Sequence, residues 1–291
     1  MVRSLPVKTL GHKASHYLEE LRLCFRAGAN VRSRITLASD TLLFHLANGL
    51  ARKWGSDPVR PKRRRIFLGA QPRDLWLRTY GGDLFIFHEV FLDDCYHIPT
   101  AWVPNVRTVV DLGANIGLTT LYFAKSYPQA RFICIEPDPN NASVLRRNVS
   151  WLKDRVCVFE GAISDQVGEG LFDSSEHSWG GKLLRQKQEG GRVVRCFTMD
   201  EIITACGLDV IDILKVDIEG AEEQLFGVGG RWLSRVKLIV IELHDGYSVE
   251  RFQRDIEGYN FKVLPPGREY GNQMIFAVRA DLLGMHSPDD N

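Results

Sequence analysis

From Arg107 onward the chain alternates near-continuous apolar runs with stretches of helical spacing. The runs "RTVVDL" (107–112), "RFICIEP" (131–137), "VCVFEGA" (156–162), "IDILKVD" (211–217) and "LIVIELHD" (238–245) read as strands, with helices between most of them. Strands that are apolar on both faces and separated by helices predict a mostly parallel sheet covered on both sides, a doubly wound α/β fold. Asp138 followed by Pro139 marks the start of the helix after the second run, because Asp caps free N–H groups and Pro is tolerated at the first helical position. "NQMIFAVR" (272–279), beside "YNFKVLP" (259–265), is the candidate for a last, antiparallel strand.

Ahead of this region the pattern differs. Residues 15–27 and 39–54 ("SDTLLFHLANGLARKW") carry helical apolar spacing, with Ser39 or Asp40 as the expected cap of the second helix. Between Ile66 and Phe91, "DLWLRTY" and "DLFIF" alternate and are joined by Gly81-Gly82, which reads as a β-hairpin. The chain is thus divided into a basic helical segment (1–65), a hairpin and pre-core segment (66–105), an α/β core (106–280) and a tail (281–291). The interval 163–209 is long for one connection and holds the polar stretch "SSEHSWGGKLL", a strand candidate "RVVRCF" and a helix candidate from Met199 to Cys206.

Charge sharpens this division. Residues 1–70 hold 14 Lys/Arg against 4 Asp/Glu, a balance of +10, and the remaining 23 against 32 give −9. The run "RPKRRR" (60–65) suits an acidic partner, a phosphate-bearing surface or RNA, or it is a solvated arm. No stretch of 18 apolar residues is present, and the N-terminus lacks the apolar segment of a secretory signal, so no membrane span and a cytoplasmic location are expected. The six cysteines form no C-x2-C pair and read as reduced core residues.

The chemistry is expected at the carboxyl ends of the strands, where ligands bind in such sheets. "VVDLGANIGLTT" (109–120) is a strand, a Gly-bearing turn and a helix start, but it departs from G-x-G-x-x-G at Asn115 and Leu118. The remaining D-x-G-x-N-x-G pattern suits a ligand with a cationic amino group and no phosphates. Glu136, about 20 residues beyond the turn, stands where doubly wound folds place an acid on ribose hydroxyls.

Charged groups are costly to bury unless they are paired or used, yet "IDILKVDIEGAEEQLF" (211–226) carries Lys215, Asp217 and Glu219 in an apolar strand or at its end. Lys215 and Asp217 share a strand face, and Glu219 opens a helix, as a cap or as a catalytic acid. On the next strand Glu242 and His244 share a face. The unperturbed imidazole pKa of about 6.5 suits a general base.

These residues resemble the FkbM family of class I S-adenosylmethionine-dependent methyltransferases. The similarity rests on "VVDLGANIGLTT", "CIEPDPNN", "CFTMDEI", "ILKVDIEGAE" and "IELH" in that order, extends from about Asp83 to Phe276, and includes "DLFIFHEVFLDDCYHIP" before the core. The resemblance implies a class I methyltransferase fold and O-methylation of a sugar, polyketide or other small-molecule hydroxyl. It implies that Asp111, Gly113, Asn115 and Gly117 line the methionine end of the cofactor, and that Glu136-Pro137 meets the ribose. It further implies that Gly161-Ala162 lie near adenine, with Ser164 and Asp165 both candidates for its amino group. His244 is then the leading base, assisted by Asp217 or Glu242, while Lys215 holds a developing oxyanion or pairs with an acid. A divalent metal on Asp217, Glu219 and His244 is the second route. RNA 2'-hydroxyl methylation and a non-catalytic binding module are the rival readings. "DIEG" replaces the Asn/Asp-Pro-Pro-aromatic motif of base N-methylation.

Overall fold

In the computed structural model of the 291-residue chain the described residues are 10–50, 60–79, 82–173, 181–184, 191–244, 246–264 and 274–283. The chain divides into two compact units, residues 1–94 and 95–291. Among the described residues no helix is long and apolar enough to cross a membrane.

The first unit contains α1 (Leu10–Ala27), α2 (Val31–Leu50), the antiparallel pair β1 (Lys62–Leu68) and β2 (Gln71–Leu77), and α3 (Asp83–Phe91). It corrects three expectations. The second helix starts at Val31, where Asn30 Oδ1 accepts from Ser33 N at 2.8 Å, so Ser39 and Asp40 lie inside the helix. The hairpin is formed by β1 and β2 and turns at Gly69-Ala70, with Leu68 opposite Gln71. "DLFIF" is helical, since Leu84, Phe87 and Val90 bury one face at a spacing of three, and Asp83 in the first turn accepts from Arg78 N at 2.7 Å and from its guanidinium. Gly81, half of the expected turn, lies outside the described residues. Lys62–Arg65 of the basic run lie in β1. Arg64 pairs with the buried carboxylate of Asp40, and Arg63 and Arg65 reach Asp74 at 3.6 and 3.8 Å.

The second unit carries a seven-stranded sheet. Its strands are β3 (Thr108–Leu112), β4 (Arg131–Glu136), β5 (Val156–Glu160), β10 (Ile211–Val216), β11 (Val236–Ile241), β12 (Phe261–Leu264) and β13 (Ile275–Arg279), in the order β12-β13-β11-β10-β3-β4-β5. From β11 to β5 all pairs are parallel, and β13 runs antiparallel to both β11 and β12. Residues 265, 272 and 273 of the two last strand candidates lie outside the described residues. The helices are α4 (Leu118–Ser126), α5 (Pro139–Val149), α6 (Met199–Cys206), α7 (Glu222–Gly227), α8 (Val249–Asp255) and the short α9 (Ala280–Leu283). Asp138 caps α5 as its sequence predicts, accepting from Asn140 N at 2.7 Å and Asn141 N at 3.3 Å.

The long 163–209 connection forms its own sheet of β6 (Ala162–Ile163), β7 (Gly168–Asp173), β8 (Lys182–Leu184) and β9 (Arg192–Phe197), ordered β6-β9-β7-β8. Residues 174–180 of "SSEHSWGGKLL" lie outside the described ones.

Every residue of β10 is buried, so the strand is the spine of the core. Its two charged residues are therefore spent on neighbours. At the amino end Asp212 accepts from Arg107 N and Thr108 N at 2.7 and 2.9 Å and from Lys237 Nζ at 2.7 Å, which registers β3 and β11 against it. At the carboxyl end Lys215 performs the matching task, described below. The six cysteines are free.

Candidate active site

The turn after β3 is built by backbone geometry. Gly113 N and Ala114 N donate to Ile135 O, both at 3.0 Å, and Asn115 N donates to Glu136 Oε2 at 2.7 Å, tying the turn to the end of β4. Gly113 has φ 74°, and a Cβ there would lie 1.8 Å from the carbonyl oxygen of Asp217. The glycine therefore admits the end of β10. Gly117, at the start of α4, faces Leu145 in the same way, at 2.6 Å from an added Cβ.

Asp111 is fully buried and Lys215 nearly so, at 2% exposure. The two are paired in register across β3 and β10. Lys215 Nζ lies 3.2 Å from Asp111 Oδ1 and 3.6 Å from Asp217 Oδ2, and it donates to Leu112 O at 3.2 Å and Gly113 O at 2.7 Å. Burial lowers the pKa of this ammonium, but Asp111 and Asp217 outweigh burial and hold it above its ordinary value. Thr120 Oγ1 donates to Asp111 Oδ2 at 2.6 Å. Asp111 thus faces the core, not the crevice as the sequence suggested, and Lys215 is a clamp on the strand ends with no open side for an oxyanion.

Glu136 is almost buried. Its carboxylate accepts from Asn115 N, from Asp138 N at 2.9 Å and from Asn141 Nδ2 at 3.4 Å, and burial pushes it up to about 7 against those bonds. A carboxylate has roughly four acceptor positions, so capacity remains for one further donor. Pro137 is half-buried beside it. Gly161 N donates to Glu136 O at 3.0 Å, while a Cβ on Gly161 would meet Arg195 O at 2.4 Å. Ala162 packs with Phe172, Val194 and Cys196. Ser164 Oγ donates to Asp165 Oδ1 at 3.1 Å, a chain-turning contact.

Beyond β10 and β11 lies a second group. Asp217 N donates to Leu112 O at 3.2 Å and Glu242 N to Val216 O at 3.0 Å, so both acids continue the strand ladders by one step. Glu219 has a left-handed φ of 51° and precedes the helix instead of opening it, since α7 begins at Glu222. His244 lies past the end of β11 in irregular chain. Its Nδ1 donates to Glu222 Oε1 at 2.9 Å, and its Nε2 stands 3.7 Å from Glu219, 3.8 Å from Glu242 and 4.0 Å from Asp217.

Burial lowers the His244 pKa, but the Glu222 hydrogen bond and the charges of Asp217, Glu222 and Glu219 bring it up to about 9. The ring is charged at neutral pH in this arrangement. The unperturbed value that made it the leading base does not hold here. Burial, then Asp217, raises Glu219 to about 7 and lifts Glu242 above its ordinary value.

The sequence reading missed two members of this site. Glu222 is fully buried and orients His244, and its signal was present as the last residue of "DIEGAE". Tyr96 is buried against Phe123, and burial, then the charge of Asp217, raises its phenol well above the usual value. Tyr96 belongs to "DDCYHIP", part of the stretch before the core.

Asn115 Oδ1 is buried without a hydrogen-bond partner at the turn, an open acceptor that fits a ligand ammonium group. Together with the strand order, the turn after β3 and the acid ending β4, this defines a class I S-adenosylmethionine-dependent methyltransferase. The family model for the methyltransferase FkbM domain matches residues 111–254, and the methyltransferase sdnD of Sordaria araneosa is 32% identical over 68% of this chain and 90% of its own length. The chain belongs to the FkbM methyltransferase family. Two further relatives are the AMB antimetabolite synthetase AmbE of Pseudomonas aeruginosa, 28% identical over 55% of this chain and 9% of its own length, and the 2-O-methyltransferase NoeI of Sinorhizobium fredii, 30% identical over 47% and 63%. The chain thus spans a tenth or less of the first and under two thirds of the second.

Proposed function

We propose that the protein transfers a methyl group to a hydroxyl of a sugar, polyketide or other small metabolite. The observation that carries this reading is the group Asp217, Glu219, Glu242 and His244, gathered at the ends of β10 and β11 directly beside the turn after β3. NoeI is a 2-O-methyltransferase by name, which agrees with this reading.

S-adenosylmethionine, when bound, supplies an electrophilic methyl group whose C–S bond breaks, the electron pair staying on sulfur, as the new O–C bond forms. The chain contributes position and proton removal. Asn115 Oδ1 is the open acceptor for the amino group, Glu136 with Pro137 takes the ribose, and the backbone at Gly161 and Ala162 borders the adenine. Gly113, Gly117, Asp111 and Lys215 fix the turn from behind. Holding the hydroxyl oxygen in line contributes up to ~7–11 kcal/mol to lowering the barrier. The hydroxyl lies against the acidic group and gives its proton to one of its carboxylates.

The basic run does not favour an RNA acceptor, because Arg63, Arg64 and Arg65 are paired with Asp74 and Asp40 inside the first unit. The test is transfer of labelled methyl from S-adenosylmethionine to a panel of sugars, polyketides and short RNAs, with the product's methyl position read by NMR. Methylation of oxygen on a small acceptor is expected. Methylation confined to nitrogen, carbon or RNA overturns the proposal.

A further inference from the structure

Among the described residues His244 Nε2 makes no hydrogen bond, although three carboxylates surround it. Glu219, Glu242 and Asp217 stand 3.7–4.0 Å away, beyond hydrogen-bond length. One ligand atom from each of Asp217, Glu242 and His244 lies within 4.8 Å of the others. Such spacing leaves a gap between the atoms that a bridging cation, at roughly 2.0–2.2 Å from each, spans.

The far side of the ring supplies an independent observation. Nδ1 donates to Glu222, a carboxylate with no exposed surface whose Oε2 has no hydrogen-bond partner of its own. A buried carboxylate on one imidazole nitrogen, with the other nitrogen turned to open ligands, is the arrangement that metal-binding histidines use to fix ring orientation. Glu222 is set by its own helix, at the first turn of α7, and Ile218 N donates to it at 3.4 Å. The ring is therefore held before any ligand arrives, and a cation that binds Nε2 displaces the proton the ring carries in its absence.

We infer that Asp217, Glu242 and His244 form a binding site for one divalent first-row cation, at which the acceptor hydroxyl is held. Two carboxylates with one imidazole suit a cation between the hard, oxygen-seeking ions and the nitrogen-seeking ones, and Mn2+ is the probe of choice. Three protein ligands leave positions open for water or the acceptor oxygen. A hydroxyl on the cation is acidified, and its proton passes to Glu219, which stands next to His244 outside the set of three. The catalytic role of the cation rests on the methyl-transfer reading, but its binding does not.

Mn2+ binding is measured on the full, chelator-treated chain by loss of the free-ion electron paramagnetic resonance signal, with S-adenosylmethionine binding measured by calorimetry on the same preparation. One Mn2+ per chain is expected, with nitrogen modulation of its signal from the imidazole. Glu242→Gln and Asp217→Asn, both at partly exposed positions, should each weaken Mn2+ by at least about tenfold, and His244→Gln should abolish the nitrogen modulation. No Mn2+ binding by a chain that binds S-adenosylmethionine overturns the cation site alone. Mn2+ binding without S-adenosylmethionine binding overturns the methyl-transfer reading and leaves the site standing. Unchanged Mn2+ affinity in all three variants places the ion elsewhere and overturns the inference.

Discussion

Lys215 Nζ lies 3.2 Å from Asp111 Oδ1, with the two residues in register on adjacent strands and both closed to solvent. Asp111→Ala should weaken cofactor binding, since Asp111 holds from behind the turn that lines the cofactor. The pairing predicts a stability loss of ~3–5 kcal/mol as well, because a buried ammonium is left short of one partner. Urea unfolding of the cofactor-free variant checks this. A double change, Asp111→Leu with Lys215→Met, should recover part of the loss, since it removes both charges and keeps volume.

Gly113→Ala is predicted to fail for backbone reasons. Its Cβ would lie 1.8 Å from the Asp217 carbonyl oxygen, at a φ of 74°. The left-handed conformation alone costs ~1–2 kcal/mol, and separating the turn from β10 adds to it. A lowered melting temperature without any cofactor is the expected result. A variant that melts like the wild type but binds S-adenosylmethionine poorly would restore the view that the glycine makes room for the ligand.

The parallel strands were legible because β3, β4, β10 and β11 are mostly apolar on both faces, with their charged residues at or near the strand ends. The α5 cap was legible for a local reason, Asp-Pro. "DLFIF" was not, since five residues of alternation fit a strand as well as the buried face of a short helix. Nor was the burial of Lys215. A period of two assigns a face but does not say whether that face meets a crevice or the acid of the next strand. Glu222 was hidden by its neighbours, because in a run of acids near a helix start any one of them satisfies the dipole argument.

The units divide between residues 94 and 95, which moves the expected boundary. A chain of residues 95–291 is predicted to bind S-adenosylmethionine with the affinity of the full chain, as calorimetry would read. One starting at Ile66 leaves β2 facing half of β1 and loses the Arg64–Asp40 pair. It should express as a less stable protein than the 95–291 chain.

Glu136 predicts a pH dependence of stability. Burial raises its folded pKa to about 7, against about 4.3 in an unfolded chain. Between these values the folded protein binds the proton more tightly, so this contribution is fully present below about pH 4.3 and is lost as pH rises through about 7. Glu136→Gln cannot titrate. Its stability relative to the wild type should therefore improve from pH 5 to pH 8 by on the order of 2–4 kcal/mol, on top of a constant loss from the altered hydrogen bonds. A difference that stays flat with pH would mean that the carboxyl is already charged throughout.

Glu222 gives the sharpest test of how the site is held. It is fully buried, its Oε1 accepts from His244 Nδ1 at 2.9 Å, and it lies behind the ring as seen from Asp217, Glu219 and Glu242. It touches no reacting atom, so its effect on turnover must pass through the imidazole. Glu222→Gln preserves shape and an acceptor oxygen but removes the charge that fixes the ring, and should lower kcat by ~10–100-fold. The affinity for S-adenosylmethionine should stay unchanged, because the turn after β3 is built without Glu222. His244→Ala removes the ring itself and should lower kcat at least as much, and adding Glu222→Gln to it should cost little more. Near-additive losses in the double variant would show that Glu222 serves α7 and not the ring.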